Sequence, residues 1–195
     1  MGKRIMLLFM VSLIAGCGLR TPHKIAPDYA KKQTRLVAVM PVENKANDEV
    51  AARMLREKML EELYYKGYPK IPLDLIDAGL LKLANGAAAS RERNVSPQAV
   101  GELLKVDAVI CCTLKESKTA LHYIYAPTSI SALCELRSAK TGETLWQAGY
   151  HDVERSFGYS TFSAKSKAVQ VYETAIQNIV NRVMETLPDG PDLAG

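Results

Sequence analysis

The chain has 195 residues, of which 48% are hydrophobic and 24% charged, a globular composition that excludes collagen-like, low-complexity and disordered classes. Its formal charge is +4, and leaving out Lys3 and Arg4 reduces 25 basic residues to 23 against 21 acidic ones. Basic and acidic residues interleave, as in Arg53, Arg56, Glu57, Lys58, Glu61 and Glu62, so the concentrated basic stripe of a nucleic-acid binder is missing from the sequence.

The N-terminus reads MGKRIMLLFMVSLIAGCGLR. Lys3 and Arg4 precede an apolar stretch of ten residues, 5–14, broken only by Ser12. Ten residues fall short of the roughly 20 that a bilayer core takes, and they suit the h-region of a secretory signal peptide over 1–16. The run Leu13-Ile14-Ala15-Gly16-Cys17 resembles a bacterial lipobox, which implies cleavage before Cys17 and lipidation of its thiol. The competing reading is an ordinary signal peptide with a chance cysteine. The modification resembled carries three acyl chains, palmitate among them, and two or more chains anchor stably at roughly 0.8 kcal/mol per buried methylene. Gly18 and Leu19, where an aspartate would mark retention in the inner membrane, imply outer-membrane sorting in a Gram-negative host. The body would then face the periplasm or be exposed at the surface.

Residues 17–34 contain Pro22, Pro27, Lys31 and Lys32 and little apolar content, which reads as a lipidated tether with His23 in water. One domain is expected over 35–188. The β-branched apolar run 36–42 predicts a strand buried on both faces. A polar capping loop follows, then a helix over 49–66 with Val50, Met54, Leu55, Met59 and Leu63 on its apolar stripe, stopped by Gly67. Segment 68–72 predicts a short edge strand, its prolines confining it there. Helices are expected over 74–84 and from Pro97, capped by Ser96, to Lys105. The apolar run 106–114 predicts a second strand. Ile130, Ala132, Cys134 and Leu136 alternate along a third, 129–137, which Lys140-Thr141-Gly142 turns into a partner over 144–152, a hairpin with one wet face. Ala168, Val169, Tyr172, Ile176, Ile179, Val183 and Leu187 trace a long amphipathic helix ended by Pro188, with a flexible tail over 189–195. This order predicts a single α/β, three-layer-like domain: a mixed sheet with flanking helices.

Catalytic motifs fail one by one. Lys140-Thr141-Gly142 matches one element of the penicillin-binding signature, but no Ser-x-x-Lys accompanies it. His23, His122 and His151 are scattered, with no HExxH and no Cys-x-x-Cys. There is no phosphate-binding glycine loop and no Gly-x-Ser-x-Gly elbow. The sequence therefore nominates no catalytic residue, metal ligand or cofactor.

Besides Cys17 there are Cys111, Cys112 and Cys134. Neighbours on a strand point to opposite faces, so either Cys111 or Cys112 would meet Cys134 if their strands pair. An oxidising periplasm permits that disulfide, and buried free thiols are the alternative. The aromatics form clusters: Tyr64, Tyr65 and Tyr68 at one helix end, Tyr123 and Tyr125 on one face beside Pro127, and Phe157, Tyr159 and Phe162 in a Gly/Ser-containing loop. Exposed Tyr and Phe favour partner-binding surfaces; the competing reading is that they cap the ends of the core.

The lipobox, the strand ending Pro41-Val42-Glu43-Asn44, the junction Gly101-Glu102-Leu103-Leu104-Lys105-Val106-Asp107 and the hairpin Lys140-Thr141-Gly142-Glu143-Thr144-Leu145-Trp146 together resemble a family of Gram-negative lipoproteins of unknown function, typified by a neisserial surface-antigen candidate. The resemblance runs over 36–187. More distantly the chain is similar to the N-terminal domain of TolB, to the curli-secretion lipoprotein CsgG and to the penicillin-binding-protein activator LpoB. This implies a TolB N-terminal-like α/β fold and a non-enzymatic, lipid-anchored accessory or scaffold protein. The implied partners are other envelope lipoproteins, CsgG-like ones among them, with homo-oligomerisation open. Rival readings are a subunit of a CsgG-like secretion pore and an envelope enzyme. Against the pore, the candidate barrel segment 115–128 contains Glu116, Lys118, His122 and Pro127, unlike the alternating apolar strands of a membrane barrel.

Overall fold

The computed structural model describes residues 21–32, 34–86 and 95–191. The signal-peptide and Cys17 expectations, the Gly/Ala-rich loop after the second helix and the last residues of the tail lie outside them.

Six strands form one sheet: β1 (His23–Ile25), β2 (Val37–Val39), β3 (Glu43–Asn44), β4 (Ala108–Thr119), β5 (Tyr125–Ser138) and β6 (Thr144–Phe157). The order is β1-β6-β5-β4-β2, with β3 also pairing β4. Strands β2 and β3 run parallel to β4, and every other pair is antiparallel. Among the described residues, four α-helices flank the sheet: α1 (Glu49–Tyr65), α2 (Leu73–Gly86), α3 (Pro97–Leu104) and α4 (Thr161–Met184). The expected mixed sheet with flanking helices is what forms.

Both faces of the sheet carry apolar layers. Ile110, Cys112 and Leu114 of β4, Ile130, Cys134 and Leu136 of β5 and Trp146 of β6 meet Leu55, Met59 and Leu63 of α1 and Ile176, Ile179 and Val183 of α4. On the other face Ala38 and Val109 meet Ile76 and Val100 in a smaller cluster under α2 and α3. Period-two alternation on β5 selects which face is buried, and its partly exposed residues lie on the side that α2 and α3 leave open. Arg56 ties the layers together: its guanidinium binds Asp77 of α2 through two nitrogens, at 2.7 and 2.9 Å, and donates to the Val39 carbonyl of β2.

The three-stranded meander is longer than the sequence pattern showed. Strand β4 runs past Leu114 to Thr119 with a register shift between Leu114 and Glu116. Strand β5 starts four residues before the alternating segment, and β6 ends five residues after 152. Polar Ser and Thr hid these extensions, because on a half-wet sheet the pairing comes from the backbone. The candidate barrel segment 115–128 is therefore the end of one β-hairpin within this sheet. Strand β2 conversely keeps only three residues of the apolar run 36–42.

Three further expectations change. Segment 68–72 is no strand: Pro69 and Pro72 lack donors, and the Tyr68 N–H closes the end of α1 on the Leu63 carbonyl, with Gly67 at φ +82°. The stretch read as a tether is docked from Thr21 onward, because β1 adds to the edge of β6 and a 3-10 turn, Tyr29–Lys32, packs on the core. The Tyr29 hydroxyl meets that of Tyr68 at 2.7 Å, and Tyr68 donates to the Pro188 carbonyl at 3.0 Å. Burial, foremost, pushes both phenols above their ordinary range. The start of the tail is also held, by Lys66 to Asp189 and by the Gly190 N–H on the Lys66 carbonyl.

Asp48 caps α1, accepting the Ala51 N–H at 3.0 Å and the Ser117 hydroxyl at 2.7 Å, with the Tyr172 hydroxyl of α4 as a third donor. Burial alone would raise this carboxyl, but those bonds outweigh it and hold it below the usual range. Tyr172 is pushed up to about 12 by burial and by Asp48. A carboxyl depressed on folding stabilises the native state above its unfolded pKa, and that contribution is lost as pH falls through the folded value. Asp48→Ala is expected to cost about 1–2 kcal/mol near neutrality. In urea titrations run at descending pH, the difference from wild type should shrink below about pH 4.

Candidate functional site

Strands β4 and β5 meet in a two-residue turn, Tyr123 and Ile124, closed by reciprocal bonds between the backbones of His122 and Tyr125, both 2.7 Å. Such turns take Gly, Asn or Asp where φ is positive. Here Tyr123 sits at φ +47° with its side chain 80% exposed. A bulky residue in the left-handed region costs roughly 1–2 kcal/mol, and exposure leaves it little packing to offset that.

Tyr125 lies in register with Phe157, their ring centroids 4.9 Å apart, and the His122 ring stacks near Tyr125 at 6.3 Å. After Phe157 the chain crosses Gly158 and Tyr159 into α4. That helix opens with a capping box, in which Ser160 Oγ accepts the Ser163 N–H and Ser163 Oγ accepts the Ser160 N–H. Tyr159 is fully exposed and Phe162, in the first turn, is 84% exposed. The expected contact residues Tyr123, Tyr125, Phe157, Tyr159 and Phe162 thus belong to one end of the sheet, drawn from the hairpin tip and the β6–α4 junction. Phe157 closes β6 and Phe162 belongs to α4, so the sequence-based placement of both in a loop is corrected. Capping the core describes the half-buried Tyr125, and it does not describe Tyr123, Tyr159 or Phe162.

Leu121 and Ile124 are exposed at the same end and escaped the sequence reading. The signal was available: no carboxylate occurs between Glu116 and Glu135 or between Glu154 and Glu173. Asp152 and Glu154, just below, receive hydrogen bonds from the Asn178 amide at 3.2 and 2.9 Å. At the opposite end Tyr64 and Tyr65 are exposed, their centroids 5.9 Å apart. Tyr68 departs from that expected cluster by turning inward to only 2% exposure.

Cys112 and Cys134 sit opposite each other on β4 and β5, Cα atoms 4.1 Å apart, and form a disulfide within the larger core. Cys111 is free on the other face, and burial chiefly pushes its thiol up. His151 Nε2 and Ser129 Oγ lie 2.9 Å apart, both side chains exposed on the sheet surface. Among the described residues no group of three or more His, Cys, Asp or Glu could hold a metal ion, and no helix is long and apolar enough to cross a membrane.

Residues 27–195 match the family described as lipoprotein GNA1162-like. The chain belongs to that family. Lipoprotein GNA1162 from Neisseria meningitidis superposes with a TM-score of 0.55 at 20% identity, over 72% of this chain and 96% of that one. PelC, solved as a dodecamer from Paraburkholderia phytofirmans, gives 0.50 at 12% identity, over 84% and 96%. The C-terminal domain of LpoB from Salmonella enterica gives 0.46 at 12% identity, over 73% and 90%. No curated protein matches the sequence significantly. At identities this low the GNA1162 and PelC superpositions show a shared fold alone, and function has to be argued from the site.

For this GNA1162-like domain the strained apex gives a direct check. Tyr123→Asn, which tolerates the left-handed region, is expected to raise stability by about 1 kcal/mol. A fall in the urea midpoint would show that Tyr123 makes a packing contact in the folded domain.

Proposed function

We propose that the protein is an accessory or scaffold lipoprotein of the outer membrane, anchored by lipid on Cys17, that holds protein partners in an envelope or secretion assembly. It works by binding and turns over no substrate. The observation that carries this reading is the gathering of exposed aromatics at the two ends of the domain, Tyr123, Phe157, Tyr159 and Phe162 at one and Tyr64 and Tyr65 at the other. Exposed aromatics concentrated in this way mark contact surfaces, whereas singly scattered ones need no explanation. The interleaved charge and the solvent-facing setting of the Ser129–His151 pair agree with a contact protein. A neighbour of the same fold crystallised as a dodecamer, which supports copies of this chain as one class of partner.

Crosslinking in intact envelopes followed by mass spectrometry tests the reading. Adducts to another envelope lipoprotein or to further copies of the chain are expected. The Cys17→Ala variant should leave the membrane fraction with an unchanged circular dichroism spectrum and lose those adducts. Recovery of wild-type protein free of any protein adduct would contradict the scaffold, and a membrane-bound Cys17→Ala would contradict the anchor.

A further inference from the structure

The direction of the N-terminal chain is set by pairing. Strand β1 runs antiparallel to β6, with His23 opposite Ala148 and Ile25 opposite Trp146, and Gly149 donates to the Pro22 carbonyl. Followed backward from His23 through Pro22, the chain therefore travels toward Phe157, the aromatic end. Only four residue steps separate Cys17 from the docked Thr21, at most about 14 Å of fully extended chain. From Tyr150, level with Thr21 in this register, β6 continues seven residues to Phe157, about 23 Å. The end of the sheet therefore reaches about 10 Å farther than the sulfur-bearing residue can.

With so short a leash, a domain standing upright with its lipid in the bilayer brings the aromatic end to that bilayer. We propose that this end, Leu121, Tyr123, Ile124, Phe157, Tyr159 and Phe162, is seated in the interface of the same lipid membrane that holds the Cys17 acyl chains. The proposal rests on the anchor reading above and names what covers the contact surface. The domain stands on the bilayer, strands upright, and presents Tyr64, Tyr65 and the rest of its body to protein partners.

The chemistry of the end fits that occupant. Tyrosine favours the headgroup level, where its ring is apolar and its hydroxyl wet. Segments 117–134 and 155–172 contain no Asp or Glu, and they carry Lys118, Arg155, Lys165 and Lys167. Basic residues are attracted to an anionic lipid surface. A second copy docked end to end would bring like charges together. The cost of holding Tyr123 at positive φ is repaid once its ring leaves water.

The test uses the full lipidated chain in vesicles of phosphatidylethanolamine with a minor share of phosphatidylglycerol, with and without bromine on the acyl chains as a contact quencher. The native Trp146 is fully buried and supplies a constant background. Tyr123→Trp and Tyr159→Trp are expected to lose roughly half or more of their added emission in brominated vesicles. Tyr65→Trp, at the far end, should lose none. Vesicle flotation with Tyr123→Trp and Tyr159→Trp both unquenched would overturn the proposal and leave the anchor standing. If they are also shielded from aqueous acrylamide, a protein occupies the surface instead. A wild-type chain that fails to float would overturn the anchor and this proposal together.

Discussion

Strand β1 has three residues, and its antiparallel pairing with the edge of β6 fixes the side from which the N-terminal chain approaches the domain. The backbone bonds of this short pairing are reinforced from beyond it. Ala26 donates to the Leu145 carbonyl, Tyr29 reaches Tyr68, and Tyr68 reaches Pro188. Lys32 adds an ion pair to Glu143 beside the 140–142 turn. Freeing the chain from β1 through Tyr29 would open the Tyr29–Tyr68 contact and leave the Tyr68 hydroxyl with only its bond to the Pro188 carbonyl. The entry direction is therefore part of the folded core.

The rest of the molecule gives that direction a meaning. Strands β4, β5 and β6 share one long meander whose covered face is filled by α1 and α4. The helical supports differ along its length. Toward the 140–142 turn, the ends of α1 and α4 close over the larger core through Tyr68, Trp146 and Leu187, and α3 brings Val100 to Ala139 in the smaller cluster. Toward the hairpin tip, small polar residues hold the strands: Thr119 and Thr128 share a hydrogen bond at 3.0 Å, and Ser156 donates to the Ala126 carbonyl at 2.8 Å. Large apolar side chains there are turned outward. One end of the sheet is thus built for closure and the other for contact, and the family relationship by itself would not have distinguished them.

The sequence made much of this legible. The span of α1 was readable from the polar capping loop, the apolar stripe and Gly67, and α3 from Ser96 and Pro97, because caps are local chemistry. Aromatic clustering pointed to the contact residues, although Phe157 and Phe162 fell in regular elements, where Gly158 and the serines had predicted a loop. What stayed hidden depends on partners far along the chain. Residues 23–25 look like linker until the β6 edge is there to receive them. Tyr68 looks like its neighbours Tyr64 and Tyr65 until Tyr29 and Pro188 supply hydrogen bonds. The upper halves of β4 and β5 are too polar for alternation to show, since their stability comes from the ladder.

The central claim is one of orientation, and neutron reflectometry of the lipidated chain on a supported bilayer tests it most directly. The account predicts a protein layer continuous with the headgroups and extending about 45 Å from them, the length of the fourteen-residue β5 standing upright. A solvent gap between headgroups and protein, or a thin layer of domains lying flat, would contradict it.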